Sequence, residues 1–189
     1  MDELNFLPFP VFVTEHLNLR RIKPEDEKDI FALRNNESVY AFLDRPMAKT
    51  VAEARQFIHK MNDGIADKKW ITWAIVLKET NKVIGTICLW NFTKADSKTE
   101  LGYELSPAYQ GQGFIQEAIA AVLGYGFKHI ALNSIEAVLH PDNRKSIQLL
   151  EKSGFTKEES NKVAANDDKN IMVVYSLRNP EYVTLSLSE

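Results

Sequence analysis

Hydrophobic and polar residues alternate along residues 100–105, which read Glu-Leu-Gly-Tyr-Glu-Leu. A period of two is typical of a β-strand with one apolar and one polar face. Pro107 ends this pattern, and residues 110–115 then read Gln-Gly-Gln-Gly-Phe-Ile. From Ile115 to Gly126, apolar and small residues recur at intervals of three and four, the spacing of an amphipathic helix. These residues therefore predict a strand, a glycine turn and a helix in succession.

The same periods predict the other elements of the chain. Strands are expected at residues 17–19, 70–77, 83–90, 135–140 and 171–177. Helices are expected to begin at Pro24, at the capping box Thr50-Val51-Ala52-Glu53 and after Pro141, and Gly154 suits the left-handed position that ends the last of them. Connections are expected at residues 38–49, 94–98 and 161–170. The order β-α-α-β-β-β-α-β-α-β-β indicates an α/β (α+β) protein with about seven strands.

Composition is typical of a folded globular protein. The chain has 189 residues, of which 44% are apolar, and we expect a single domain over residues 1–189. The net charge of −3 and the lack of a basic run argue against direct nucleic-acid binding. Cys88 is the only cysteine, which excludes an internal disulfide, fits a cytoplasmic location and, in so apolar a segment, predicts a buried, inert thiol. The apolar residues 6–12 are too short and too interrupted by proline for a signal peptide or a membrane span.

The glycine turn is the clearest place for chemistry. Because Gly111 and Gly113 lack a Cβ, the backbone around them can approach a ligand closely. The first turn of the following helix offers N–H groups and the positive end of its dipole, which together suit a phosphate. The alternative is that the glycines only make a tight connection. The turn has neither the Gly-Lys-Ser/Thr of a P-loop nor the third glycine of the dinucleotide fingerprint.

Two motifs follow one another in the second half of the chain. Gln110-x-x-Gly113-x-Ile115 resembles the acetyl-CoA pyrophosphate loop of the GNAT acetyltransferases, which commonly ends in Gly or Ala. Residues 109–118, together with Asn143-x-x-Ser146 and Leu-Leu-Glu-Lys-Ser-Gly-Phe at 149–155, are similar to the Rim-type branch. That branch acetylates the N-termini of ribosomal proteins and often has a bulky residue at the position of Ile115. The resemblance covers about residues 15–177, which is nearly the whole chain.

The resemblance implies the GNAT fold, a mixed and mostly antiparallel sheet of about seven strands with helices on both faces. It also implies that the strands at 100–105 and 135–140 splay apart and that the arm of acetyl-CoA lies in the gap between them. Acetyl-CoA is then the cosubstrate, and no metal is expected. The implied cofactor-binding residues are Tyr103, Leu105, Gln110, Gly111, Gln112, Gly113, Phe114, Ile115, Asn143 and Ser146.

Acetyl transfer to an ammonium group requires a proton acceptor, stabilisation of the oxyanion and a proton for the leaving thiolate. Glu100 is the expected base, because it precedes Gly102 on the strand that should face the thioester; the alternative is a solvated strand residue. A backbone N–H near Leu105 is expected to meet the oxyanion. By resemblance, Asn143 hydrogen-bonds the pantetheine arm and Ser146 protonates the thiolate, although both residue types also suit a helix start. The predicted catalytic residues are thus Glu100 and Ser146.

Some further side chains are weaker candidates. Glu104 shares the polar face of Glu100, where two carboxylates suit a cationic acceptor; the alternative is again a solvated residue. The four histidines show no metal-ligand spacing, and only His140 ends a strand near the expected cleft. Four aromatic residues either line the acceptor site or, as is more usual, pack in the core: Trp70, Trp73, Trp90 and Phe92.

The sequence therefore predicts an N-acetyltransferase that uses acetyl-CoA, with a protein or peptide α-amine as the acceptor and a ribosomal protein N-terminus as one form of it. Two alternatives stay open: acetylation of a small amine such as an antibiotic or a polyamine, and a non-catalytic acyl-CoA-binding module. The presence of both Glu100 and Ser146 argues against the last. No membrane contact is expected, and a monomer and a homodimer are equally compatible with the sequence.

Overall fold

The computed structural model of the protein describes residues 4–42, 46–164 and 171–180, and in this part of the chain one mixed sheet has eight strands in the order β1-β2-β3-β4-β5-β6-β8-β7. The strands are β1 (Phe12–Val13), β2 (Leu17–Arg20), β3 (Trp70–Leu77), β4 (Lys82–Thr93), β5 (Lys98–Leu105), β6 (Ser134–Leu139), β7 (Thr156–Ala164) and β8 (Ile171–Arg178). The helices are α1 (Glu27–Arg34), α2 (Glu37–Tyr40), α3 (Val51–Ala66), α4 (Phe114–Lys128) and α5 (Arg144–Lys152). Neighbouring strands are antiparallel except β5 and β6, which are parallel.

Apolar side chains are buried on both faces of the sheet. Seven of the eight residues of β3 are buried, because a strand covered on both sides has no solvent-facing row. On one face, Trp73 and Ile87 lie in a core cluster with Ile119 of α4. On the other face, a second cluster joins Ile30 of α1 and Ile58 of α3 to strands β3 and β4. Helices therefore cover both faces of the sheet, as the resemblance implies.

Strands β5 and β6 stay together over only three residue pairs, from Lys98 opposite Ser134 to Glu100 opposite Glu136. Beyond these pairs, β5 continues to Leu105 without a registered partner on β6. The opening between the two strands, which we call the gap, begins at Glu100. The splay implied by the resemblance is therefore confirmed.

Helix ends follow the local sequence signals. Thr50 accepts a hydrogen bond from the Glu53 N–H at 3.2 Å, and α3 begins at the next residue. Gly154 follows α5 with φ of +90°, and the Phe155 N–H donates to the Leu150 carbonyl at 3.0 Å. This pairing is the one expected when a left-handed glycine ends a helix.

The secondary structure differs from the sequence predictions at three places. The predicted connection at residues 38–49 begins within the short helix α2, whose Asn36 cap accepts from the Ser38 and Val39 N–H groups. The predicted connection at 161–170 is a strand as far as Ala164, and residues 165–170 lie outside the described part. The extra strand β1 pairs with β2 through only two residues. Its Phe12 ring lies 5.7 Å from both the Trp73 and Tyr125 rings, contacts that a local pattern does not reveal.

Candidate active site

The glycine turn connects β5 to α4. Gly111 has φ of +76° and Gly113 has φ of +84°, which is the left-handed region where only glycine is free of strain. A Cβ built at either position meets no atom within 4 Å, so the backbone here borders open space rather than packed side chains. Gly113 is the N-cap of α4, and the first N–H groups of that helix have no partners within the helix.

Side chains of the turn hold its shape. Gln110 Nε2 donates to the Leu105 carbonyl at 3.2 Å, and Gln112 Nε2 donates to the Ala108 carbonyl at 3.0 Å. Ile115 packs against the main core, which accounts for a bulky apolar residue where the GNAT loop commonly has Gly or Ala. The turn therefore combines stabilising side-chain bonds with an open backbone surface.

Backbone donors of β5 point into the gap. The Ser106 N–H donates to the Ile84 carbonyl of β4 at 2.8 Å. Because successive residues of a strand direct their N–H groups to opposite sides, those of Tyr103 and Leu105 point away from β4, toward the gap. These two N–H groups suit the amides and the acyl oxygen of a ligand threaded between the strands.

Helix α5 brings Ser146 to the same opening. Asn143 is the N-cap, and its Oδ1 accepts from the Ser146 N–H at 3.2 Å, so the capping role is present and the Asn143 amide NH₂ remains a possible donor. Burial raises the pKa of Tyr103 to about 12, and a side-chain hydrogen bond with Ser146 acts in the opposite direction. Tyr103 is therefore a neutral phenol near neutral pH and lies close to Ser146.

Glu100 lies on the other face of the sheet, where the gap begins. It is paired with Trp90 on β4 and with Glu136 on β6. Asn91 Nδ2 donates to Glu100 Oε1 at 2.5 Å. Asn91 has φ of +53° and lies where the register of β4 and β5 shifts. Its contact with Glu100 depends on that shift, so no local pattern of the sequence predicts it. The gap thus separates a carboxylate on one face from a pair of hydroxyls on the other.

Glu104 differs from both of its sequence interpretations. It is only 6% exposed, and its Oε1 accepts from Thr86 Oγ1 at 3.0 Å and lies 4.0 Å from Arg34 Nη1. The Arg34 guanidinium in turn lies 3.8 Å from the centre of the Phe57 ring. A carboxylate held beneath α1 in this way is neither solvated nor available to attract an acceptor.

The predicted aromatic candidates separate into core and surface. Trp73 is fully buried, Trp70 Nε1 donates to the Met61 carbonyl at 3.0 Å, and the ring of Phe92 lies 5.8 Å from that of Phe6. Trp90, in contrast, is 45% exposed on the face of Glu100. Only this one of the four aromatic candidates is both exposed and next to the predicted base.

His140 directly follows β6, the strand on the far side of the gap. Its ring stacks on that of Phe42 at 5.8 Å, and its Nδ1 accepts from the Asp142 N–H at 3.2 Å. Within the described residues, no three His, Cys, Asp or Glu side chains come together as metal ligands. None of the described helices has the length and apolar character needed to cross a membrane.

A contact between His16 and Glu117, which no local sequence pattern indicates, anchors the start of α4 to the connection between β1 and β2. Glu117 Oε1 accepts from the His16 N–H at 2.8 Å, and Oε2 lies 2.9 Å from His16 Nδ1. The His16 ring also meets the edge of the Phe114 ring at 5.8 Å. Because Phe114 is the first residue after Gly113, the contact between the His16 and Phe114 rings holds the first turn of α4 in place next to the glycine turn.

Glu117 is expected to contribute pH-dependent stability. Desolvation alone would raise its pKa, but hydrogen bonds from Thr14 and from the backbone and ring of His16 outweigh that effect and lower the pKa below the usual 4.5. A carboxyl with a lowered folded-state pKa adds stability above its unfolded-state pKa and loses it as the pH falls through the folded-state value. We expect Glu117→Gln to reduce the free energy of unfolding by about 1 kcal/mol at pH 7, with the difference from wild type shrinking below pH 4.5.

Urea unfolding of both proteins at pH 7 and at pH 3 measures this difference. The exposed Glu79, replaced by Gln, is the control and is expected to leave the midpoint unchanged at both pH values. A difference between wild type and Glu117→Gln that stays constant from pH 7 to pH 3 would contradict the role assigned to the charge.

The residues present fit acetyl-CoA. The open surface at Gly111 and Gly113 accepts a bulky anion where a Cβ would otherwise intrude, and the α4 N-terminus supplies N–H donors for it. The gap offers the N–H groups of Tyr103 and Leu105 to an extended arm, and Asn143 caps α5, the helix whose Ser146 lies close to Tyr103. This arrangement matches, in order, a diphosphate, a pantetheine chain and a thioester.

Comparisons with known proteins agree with this geometry. The family model described as "Acetyltransferase (GNAT) domain" matches residues 16–156. The uncharacterized N-acetyltransferase YoaA of Bacillus subtilis (strain 168) is 34% identical over 150 residues, 79% of this chain and 85% of YoaA. The ribosomal-protein-S5-alanine acetyltransferase from Vibrio fischeri aligns with a TM-score of 0.78 at 26% identity, covering 92% of this chain and 98% of that one. Spermidine N-acetyltransferase from Vibrio cholerae, solved with CoA and spermine, shares the fold with a TM-score of 0.73 at 21% identity, covering 89% and 98%.

The family match spans most of the chain, and the similarity to ribosomal-protein acetyltransferases supports the Rim-type motifs at residues 109–118 and 143–155. The chain is therefore an N-acetyltransferase that belongs to the GNAT family, in its ribosomal-protein acetyltransferase-like branch.

Proposed function

We propose that this enzyme transfers the acetyl group of acetyl-CoA to the α-amine of a protein or peptide, by direct attack of the amine with help from a general base. The observation that carries the proposal is the gap, with Glu100 at its origin on one face of the sheet and Ser146 with Tyr103 on the other. A reaction that must take a proton from the nucleophile and give one to the leaving group needs two such sites on opposite sides of the reacting carbon.

Glu100 accepts the proton from the acceptor's ammonium group, directly or through water. The bond from Asn91 Nδ2 fixes the orientation of the carboxylate and leaves Oε2 for the acceptor. Holding the amine against the acyl carbon contributes further, since positioning alone can remove roughly 7–11 kcal/mol of barrier in favourable cases. A covalent intermediate on the enzyme is then unnecessary.

Residues on the face of the sheet opposite Glu100 are proposed to act on the acyl oxygen and the leaving thiolate. Acetyl-CoA, when bound, supplies the activated acyl group. The Leu105 N–H is the proposed donor to the acyl oxygen, because backbone donors fixed in advance stabilise developing negative charge at low reorganisation cost. Ser146 Oγ–H is the proposed proton donor to the departing sulfur, and the Tyr103 hydroxyl orients it.

A peptide α-amine is favoured as acceptor by the Rim-type motifs and by the similarity to a ribosomal-protein-S5-alanine acetyltransferase. A ribosomal protein N-terminus is the specific form of this proposal, and a cytoplasmic location goes with it. The sequence identity with a spermidine N-acetyltransferase is below 25%, so this similarity concerns the fold alone.

Mass spectrometry of an acceptor panel tests the proposal. The enzyme and acetyl-CoA are incubated with peptides that have different free N-termini, with the same peptides blocked at the N-terminus, with polyamines and with aminoglycosides. An added acetyl group on the free peptides, absent from the blocked ones, is expected. Acetylation confined to polyamines or aminoglycosides would instead establish a small-amine acetyltransferase.

A further inference from the structure

Trp90 is an exposed tryptophan whose side chain is not buried in the hydrophobic core. Among the described residues, the large apolar side chains that remain exposed are Leu7, Val11, Val13, Phe42 and Trp90. The first three belong to the N-terminal segment, whereas Trp90 lies directly opposite Glu100 on the neighbouring strand. An indole left open beside the proposed base, rather than buried, suits a recognition role, because tryptophan is enriched where proteins bind partners.

The indole lies against strand β5. A Cβ built at Gly102 would lie 3.7 Å from Trp90 Nε1 and 3.9 Å from Cδ1, so the ring occupies the space above this glycine. The Trp90 backbone is fixed as well, since its carbonyl accepts from Thr99 Oγ1 at 2.6 Å. Gly102 and Glu100 share one face of β5. The ring therefore forms an apolar surface beside the carboxylate, where an acceptor must pass.

An aromatic ring next to a carboxylate selects a particular chemistry. Aliphatic chains pack on the ring and bury apolar area, and cationic groups are attracted by both the ring face and the carboxylate. An acidic group gains nothing from the ring and is repelled by Glu100. A small polar group such as a hydroxymethyl does not reach across the ring.

We propose that Trp90 is a specificity-determining residue that packs against the first group beyond the reacting amine of the acceptor. This inference rests on the proposed function, under which that group is the side chain of the N-terminal residue. The preferred acceptor then begins with a long aliphatic or cationic residue, and an acidic first residue is disfavoured.

The test uses four peptides identical except at the first residue, which is Leu, Lys, Ser or Asp. We expect kcat/KM to be higher for the Leu and Lys peptides than for Ser, and lowest for Asp. Trp90→Ala is expected to lower kcat/KM roughly 10-fold for Leu and Lys, on the scale of a ring contact, and less than about threefold for Ser. Trp90→Phe keeps a ring and is expected to restore most of the loss, while KM for acetyl-CoA stays constant in both variants.

An equal loss for all four peptides would overturn the inference, since a structural role of Trp90 has no reason to depend on the acceptor's side chain. A preference for the Asp peptide, or a change in KM for acetyl-CoA as large as that for the acceptor, would overturn it as well.

Failure of the proposed function is distinguishable from failure of this inference. If no peptide is acetylated, the proposed function fails, and Trp90 is then tested with ethylammonium and hexylammonium ions. The fluorescence difference between wild type and Trp90→Phe reports on Trp90 and on its coupling to Trp70, its cross-strand partner on β3. A larger change with hexylammonium than with ethylammonium supports an aliphatic contact at Trp90, and equal or absent changes overturn it.

Discussion

Replacing Glu100 by Gln is expected to lower kcat by roughly 10²–10⁴-fold, the usual contribution of a positioned general base. The amide keeps the size and one acceptor atom of the carboxylate, so the bond from Asn91 has a partner and the strand pairing with Trp90 is retained. An amide is not basic and cannot take the proton of the incoming ammonium. Because Glu100 lies on the face opposite Ser146, we expect the dissociation constant for acetyl-CoA to remain within about twofold of wild type.

Glu136→Gln is the matched control. Glu136 is paired with Glu100 on the adjacent strand and shares its face, but it forms an ion pair with Lys98 at 3.1 Å and has no role in the proposed reaction. Steady-state kinetics and acetyl-CoA titration of both variants decide the assignment. Equal losses in the two variants would point to a general electrostatic effect, and turnover of Glu100→Gln close to wild type would remove Glu100 from the mechanism.

Replacing Gly113 by Val is expected to raise KM for acetyl-CoA by at least 10-fold. A φ of +84° costs a side chain about 1–2 kcal/mol of conformational strain, and a β-branched residue tolerates it least. The new side chain would also project into the space that no other atom fills within 4 Å, which is the space assigned to the diphosphate. Strain alone would only destabilise the protein. A raised KM for acetyl-CoA, measured at saturating acceptor concentration, therefore specifically tests whether the glycine turn binds the diphosphate.

Gly124→Ala provides the comparison within the same helix. Gly124 also has no atom within 4 Å of a Cβ built on it, but its φ lies outside the left-handed region. We expect this change to increase the free energy of unfolding by about 0.5–1 kcal/mol and to leave KM for acetyl-CoA unchanged. Thermal unfolding and acetyl-CoA kinetics of the two variants separate the effect of backbone strain from the effect on ligand binding. A Gly113→Val protein that folds and has the wild-type KM for acetyl-CoA would exclude the glycine turn as the diphosphate site.

The strand at 100–105, the glycine turn and helix α4 were predictable because each depends on neighbours within a few residues. Alternation of apolar and polar residues indicates a strand and its apolar side, and positive φ favours glycine at Gly111 and Gly113. The stop of α5 at Gly154 follows from the same kind of local rule. The resemblance added the splay between β5 and β6, which no local pattern indicates.

Errors arose where the deciding contact was distant in sequence. Glu104 alternates with Glu100, which predicts an open environment for both, but Arg34 of α1 and Thr86 of β4 enclose Glu104. Strand β1 and helix α2 are too short for a period to be recognised, and β1 is placed by aromatic rings from β3 and α4. Burial by a remote helix is a property of packing, and the charge pattern of a single strand does not contain it.

Local sequence specifies the residue types available for the reaction and the local structure that presents them: a carboxylate on a strand, two glycines before a helix and a hydroxyl in the first turn of the following helix. Which of these residues come into contact depends on how distant parts of the chain pack together. Asn91 with Glu100, Tyr103 with Ser146 and His16 with Glu117 are brought together by a register shift, by the opening of two strands and by the docking of α4. The physical reason is that a hydrogen bond depends on distance in space to within a few tenths of an ångström, whereas local periodicity specifies only which face of an element each residue occupies.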